Sequence, residues 1–390
     1  MVIFFSSIIF IFILLEILFF ILVNYLRIKI PWVITNKDEY PIFNEKKIET
    51  FLKKTYNFYL GWNWKPNSIH IEKSYNKKNK IYFGKYGERK GLASSKKKIN
   101  HASFGDSFVF CRYVKNNQTW QEQISKMNHF NILNFGVGNY GLDQIYLKYL
   151  NTELSKKIKT VYIGFVPETL SRCLCSWKHY HEFNNIYGFK PKFFMYKNKL
   201  KLINNPIVNT KSFQNINKII NTLKKKEFFY KEKFRKHKLE FPFTFNIFLN
   251  PIYNINLLFY SILKILCINE NKIYEFIIKR NCLSNDIYFR KKNNKILIKK
   301  LMLKIKKLSQ KRNHKVFFII FPQKYDLMIS KKNYQKFFSK LKKEFNIIDL
   351  TKIFETNNLN DIYLPDQYGA HLSPYGNHIV AKTLIKNKFY

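Results

Sequence analysis

Gly105-Asp106-Ser107 stands at the end of an apolar run, "INHASFG". It offers either a polar turn or a serine hydroxyl held at the top of a strand. A serine is a feeble nucleophile until a base lies within hydrogen-bond reach. Three further stretches could furnish partners: "NFGVGNYGLDQ" (Asn134 to Gln144), "VPETLSR" (Val166 to Arg172) and "LPDQYGAHLSPYGNHIVA" (Leu364 to Ala381). Each alone has an ordinary structural reading. Gly136, Gly138 and Gly141 can be turn-makers, because glycine adopts positive φ at little cost. His371 can be a surface or capping residue, and Asp366 a solvated loop acid. Their order along the chain is more informative than any one of them.

The elements that must position these residues follow from periodicity. "INHASFG", "FNILNFGV", "KTVYIGFV", "KVFFIIFP" and "FNIIDL" read as strands. Between them lie helical patterns: "TWQEQISKMN" with Thr119 as N-cap, "GLDQIYLKYLNTELSKK", "NYQKFFSKLKKE" and a last helix, "GNHIVAKTLIKN". Strands separated by helices predict a parallel sheet covered on both faces. In such sheets ligands bind beyond the carboxyl ends of the strands. The Gly-Asp-Ser, Asn134–Gln144 and Val166–Arg172 stretches follow the first three strands.

The pattern thus defines an α/β domain over 99–390. Its rhythm breaks over about 178–314, a mostly helical, Lys-rich insertion and a candidate cap. Residues 27–98 read as a linker and a small β-rich lead-in, with "FYLGWNWKPNSIHIEKS" and "KIYFGKYGERKG". In "WKHYHEF", His179 and His181 stand beside aromatics, as sugar-facing or packing residues.

On Gly-Asp-Ser, the Gly/Asn block after strand two, the block after strand three and His-Leu-Ser-Pro-Tyr-Gly-Asn near the C-terminus, the chain resembles the SGNH, or GDSL, hydrolase superfamily. The resemblance covers residues about 99–176 and 316–390. It implies a three-layer α/β/α, flavodoxin-like fold. It also implies roles: Ser107 as nucleophile, His371 as base, and Asp366 as the acid that orients the imidazole. Oxyanion donors would be the Ser107 N–H and the block around Gly138 and Asn139. Asp106 reads as a structural partner of the loop.

Two departures stand out. The acid is five residues before His371, where the superfamily has two or three, so the chain must loop through Gly369. Asp361 is the reserve acid. The third block normally supplies an Asn amide, whereas here Thr169 occupies the likely equivalent place and Glu168 would repel an oxyanion unless turned away. The resemblance implies acyl transfer on oxygen esters, as an esterase or an O-acyltransferase acting on an acyl ester or acylated carbohydrate, by analogy on cell-surface glycans. No metal or organic cofactor is implied. A non-catalytic, membrane-anchored glycan-binding protein on the same fold is the alternative.

Composition removes other classes. The formal net charge of +44 suggests nucleic acid, but only 8 of the 69 basic residues are Arg. The Lys residues are scattered among Asn, Ile, Phe and Tyr, the usage of an AT-rich coding sequence. No specific nucleic-acid partner is expected beyond nonspecific attraction to anionic surfaces. Five cysteines, an odd number without zinc-like spacing, predict isolated thiols.

Residues 2–26, "VIFFSSIIFIFILLEILFFILVNYL", are long enough to span a bilayer and lack a basic start and a small-residue cleavage site. They predict an uncleaved single-pass anchor. Glu16 near the middle costs about 2.5–3.5 kcal/mol on insertion scales. Arg27, Lys29 and Lys37 follow the segment, which taken alone keeps the body cytoplasmic. The superfamily analogy points instead to an extracytoplasmic body.

Overall fold

Five parallel strands carry the sheet: β1 (Lys98–Gly105), β2 (Phe130–Gly136), β3 (Thr160–Phe165), β4 (Lys315–Ile320) and β5 (Ile347–Asp349). Their order is β5-β4-β3-β1-β2. The structure, a computed structural model, describes residues 2–35, 40–74, 77–91, 97–366 and 370–387. All five strands read from the sequence are present. Helices include α1 (Val2–Lys29), α2 (Trp120–Met127), α3 (Leu142–Asn151), α4 (Phe243–Phe248), α5 (Pro251–Ile265), α6 (Lys292–Lys311), α7 (Asn333–Leu341) and α8 (Pro374–Lys386).

The chain forms two compact units. One comprises Phe51–Leu174, Lys190–Asn205 and Ile278–Tyr390 and holds the sheet. Successive side chains of a strand face opposite ways, and the core follows that rule. Phe318 and Ile320 of β4 join Phe104, Phe135 and Ile163 and residues of α3, α6 and α7 in one cluster. Phe317 and Ile319 join Tyr162, Ile348 and residues of α2 and α8 in another. β3 is buried at every position, as a central parallel strand should be.

Three local differences from the sequence reading have physical causes. The helix after β2 ends at Asn151, although its apolar pattern continues. The Arg312 guanidinium donates to the carbonyls of Tyr149 (2.6 Å), Leu150 (2.9 Å) and Thr152 (3.3 Å), so a distant residue supplies the C-cap. α8 begins at Pro374, earlier than its apolar pattern, because Ser373 is the N-cap and accepts from Gly376 N at 3.0 Å. The lead-in holds a helix, Glu45–Lys54, besides its short strands and the hairpin Ile69–Ser74 with Lys77–Tyr82. The stretch 178–314 is shared between units. Lys190–Asn205, which contains an antiparallel hairpin, and Ile278 onward, with α6, belong to the sheet-bearing unit.

The other unit comprises Met1–Thr50, Cys175–Phe189 and Pro206–Ile277. Its core joins Val23, Leu26 and Ile30 of α1 to Leu239, Phe243, Ile247, Tyr253, Leu257 and Ile273. The helix α1 is long and apolar enough to cross a membrane, and most of its length is uncovered. His179 and His181 are buried in this unit, against Trp177 (centroids 4.8 Å apart) and Phe229 (4.3 Å). The five cysteines are free thiols, and only Cys267 is exposed.

Candidate active site

Ser107 opens a single helical turn, Ser107–Phe110, directly after β1. That turn sits on the ends of three strands, and glycine makes room for it. A Cβ on Gly136 would lie 2.1 Å from Phe110 N, and one on Gly105 would lie 2.2 Å from both Gly164 O and Val109 Cγ2. Asp106 is the N-cap and accepts from Phe108 N at 2.9 Å. Its other oxygen accepts from Val166 N (2.9 Å) and Arg172 Nη1 (3.2 Å), tying the loop after β1 to the loop after β3. Burial pushes the Asp106 carboxyl up from its ordinary value, against the opposing pull of Arg172 and the two backbone donors.

His371 comes from a segment 264 residues away in sequence, and its Nε2 lies 3.0 Å from Ser107 Oγ. On the far side of the ring, Nδ1 lies 3.1 Å from Asp366 Oδ2, which also accepts from the His371 backbone N–H at 2.6 Å. With Nδ1–H donating to the carboxylate, Nε2 presents its lone pair to the hydroxyl. Both side chains are about 5% exposed or less, which keeps water from competing for these bonds. Ala370, at φ +57°, sets the bend before His371. Leu364 N donates to His371 O at 2.8 Å, and Ser373 N to Ile362 O at 2.7 Å, so backbone pairs brace the histidine on either side. Gly369 lies outside the described residues. Asp361 is exposed, and the carboxylate meeting the ring is that of Asp366.

The remaining expected residues separate. Gly138 and Asn139 line a cavity of about 260 Å³ together with Trp62, Trp64, His70, Glu72 and Arg112. A Cβ on Gly138 would meet nothing within 4 Å, and Trp62 Nε1 donates to Gly138 O at 3.1 Å. Asn139 has a left-handed backbone, φ +68°. Thr169 is fully buried, and its Oγ1 accepts from Leu142 N at 2.7 Å, so it is committed to the first turn of α3. Glu168 is paired with Arg172 Nη2 at 2.8 Å.

Several residues around the site had not been singled out. Arg89, 4% exposed, donates to the carbonyls of Phe110 (2.8 Å), Cys111 (2.8 Å) and Val114 (2.7 Å) and to Asn116 Oδ1 (3.0 Å). It thereby holds the backbone immediately after Ser107, where Cys111 and Tyr113 take positive φ values of 58° and 68°. Buried Glu72 accepts from Tyr113 N at 2.7 Å and pairs with Arg112 at 3.5 Å. The Tyr113 ring meets the His371 ring edge-on, centroids 5.5 Å apart. Arginine itself was the available signal. In so lysine-rich a chain, an Arg is a candidate for a place where a rigid fork of donors is used, as Arg89, Arg172 and Arg312 are.

Geometrically, a hydroxyl bonded to an imidazole whose far nitrogen faces a carboxylate can give up its proton as it attacks a carbonyl carbon. No model of a known protein family matches the chain, and no curated protein matches it.

Proposed function

We propose that this protein is a membrane-anchored serine esterase or O-acyltransferase of SGNH type. The observation that carries the reading is the bonded series Ser107 Oγ, His371 Nε2 and Nδ1, Asp366 Oδ2, at 3.0 and 3.1 Å, assembled from the two ends of an α/β domain. Ser107 Oγ attacks the carbonyl of an oxygen ester while His371 Nε2 takes its proton. Collapse of the tetrahedral intermediate breaks the ester C–O bond. The departing alcohol receives that proton, and the acyl group stays on Ser107. Water, or a sugar hydroxyl in a transferase, then gives its proton to His371 and attacks the acyl-serine; the acyl–Oγ bond breaks and His371 returns the proton to Ser107 Oγ. Asp366 stabilises the imidazolium in both half-reactions. The oxyanion would meet the Ser107 N–H and donors on the Gly138–Asn139 loop.

A three-layer, flavodoxin-like arrangement is supported by the strand order, which counted along the chain is 2-1-3-4-5. Helices of both core clusters pack against the sheet. The apolar α1 supports single-pass anchoring, and the analogy with tethered glycan-modifying relatives favours an extracytoplasmic body. The aromatic-lined cavity beside Gly138 suits a carbohydrate or acyl-carbohydrate substrate.

A second reading, a non-catalytic glycan-binding protein, is favoured by one observation. Neither Thr169 nor Glu168 offers an amide to an oxyanion, and both are engaged elsewhere. A fluorophosphonate probe separates the two. An activated serine is labelled and the label is lost in Ser107→Ala. An unlabelled protein that keeps its native circular dichroism would establish the binding reading instead.

A further inference from the structure

Residues 241–263, "FPFTFNIFLNPIYNINLLFYSIL", hold no charged side chain, in a chain where 69 of 390 residues are Lys or Arg. They contain α4 and α5, in the same compact unit as α1. One face packs on α1, with Phe243, Ile247, Leu257 and Leu258 in the core that holds Val23 and Leu26. The other face is uncovered. Phe241 is 73% and Ile252 74% exposed, and Phe245, Phe248, Leu249 and Phe259 are each more than half exposed. So large a contiguous apolar patch marks a surface that meets something other than water.

The anchor sets the depth of this face. Arg27 donates to Leu239 O and, at 3.1 Å, to Thr35 O. Glu16, earlier on the same helix, accepts from Phe243 N, from Thr244 N at 2.9 Å and from Thr244 Oγ1 at 2.6 Å. The helix between Glu16 and Arg27 rises about 16 Å at 1.5 Å per residue. With Arg27 at one boundary of a hydrocarbon layer about 30 Å thick, Phe243 and Thr244 lie near its middle. From there the chain turns through α4, and α5 returns over 15 residues, about 22 Å. Lys264, paired with Glu270 at 3.7 Å, marks the return to polar surroundings.

Asn246, Asn254, Asn256 and Ser261 are satisfied locally, as hydrocarbon requires. Asn246 donates to Glu240 O and Pro242 O, both at 3.0 Å. Asn254 donates to Asn246 O and Ile247 O, Asn256 to Ile252 O, and Ser261 to Leu257 O. The apolar surface is also continuous with that of α1: Ile17 and Phe20 border Phe241 and Phe243 around a cavity of about 320 Å³.

We propose that α4 and α5 form a re-entrant hairpin, buried beside the second half of α1, whose outer face contacts lipid acyl chains. The inference rests on insertion of α1 and is independent of the chemistry at Ser107. It is tested on the full-length protein in phosphatidylcholine–phosphatidylglycerol vesicles, in a Cys267→Ser background so that the native cysteines left are buried. Ile255→Cys and Phe259→Cys carry an environment-sensitive fluorophore. Ile17→Cys serves as the lipid reference and exposed Lys218→Cys as the aqueous one. Nitroxides on the lipid acyl chains should quench both hairpin positions as strongly as Ile17, and aqueous iodide should not. Iodide quenching equal to that at Lys218 would overturn the hairpin. So would protection from both quenchers, which puts a second protein over the face. Iodide access at Ile17 would remove the anchor and the hairpin together. Circular dichroism verifies each variant, and Ile252→Cys reads the same face should one fail to fold.

Discussion

The two compact units spend their unusual residues in opposite ways. In the sheet-bearing unit, charged groups are buried and multiply bonded: Arg89 on three carbonyls, Asp106 on two backbone donors and Arg172, and Lys190 on Asp143 at 2.5 Å. In the helical unit, apolar groups are exposed, from Phe4 to Tyr25 on α1 and from Phe241 to Leu266 beyond it. A buried charge needs a complete set of partners. A large contiguous apolar face marks contact with something other than water. The contrast gives loop geometry to the first unit and, on the proposal above, contact with lipid to the second.

The sharpest break falls on the bonded series. If Ser107 is activated as proposed, His371→Ala should cut turnover of an activated ester by about 10⁴-fold, and Asp366→Asn by up to about 10⁴-fold, with circular dichroism unchanged. Asp361→Asn should leave the rate near that of the parent. Loss at Asp361 with near-normal rates at Asp366 would show that the carboxylate bonded to the ring is not the one that matters.

Next in size is the backbone that carries Ser107. Arg89→Met leaves the carbonyls of Phe110, Cys111 and Val114 without their donor, at about 1–3 kcal/mol for each group left unpaired. A lowered thermal midpoint and weaker probe labelling of Ser107 are expected together. Gly136→Ala drives a Cβ into the backbone of Val109 and Phe110 and should lower the thermal midpoint too. It should displace the turn at Phe110, lowering labelling while most of the fold persists.

In the helical unit the same kind of change should separate contact from exposure. Glu16→Leu strips Phe243 and Thr244 of their acceptor and should cost about 1–3 kcal/mol. Ile252→Ala, on the uncovered face, should change the stability of the detergent-solubilised protein by less than about 0.5 kcal/mol. Equal effects would mean that the face is packed against protein.

A pH slope offers a further test. Burial raises Asp326 from its ordinary 3.8 to about 7, so the folded carboxyl holds its proton where the unfolded one has lost it. Its contribution to stability is complete below pH 3.8 and is lost as pH rises towards about 7. Lys148, lowered by burial from 10.5 to about 7, acts oppositely, adding stability as pH rises from about 7 to 10.5. Thermal midpoints across pH 4 to 9 should show the first slope disappear in Asp326→Asn.

Local pattern alone was enough for much of this. Near-continuous apolar runs placed the five strands, because a parallel strand covered on both faces is apolar along most of its length. The apolar 2–26 segment was legible because a membrane-length helix needs nothing but composition. Thr119 capped its helix as its type requires, accepting from Glu122 N at 3.3 Å. Ser107, Asp366 and His371 were legible as candidates by type and order, but only the tertiary structure brings Ser107 Oγ and His371 Nε2 to 3.0 Å. Thr169 was a candidate by its place in the block after the third strand; the competing demand was the Leu142 N–H at the start of α3, which it accepts. The early end of α3 and the support of the Ser107 turn depend on Arg312 and Arg89, residues remote in sequence whose donors reach backbone carbonyls. The exposed face of α4 and α5 was hidden because a short uncharged apolar run reads equally as a buried core helix. Which face meets α1 is decided by long-range contacts to Glu16 and Arg27. Local sequence sets propensity and apolar period, whereas the partner of each polar group is chosen by the chain that folds against it.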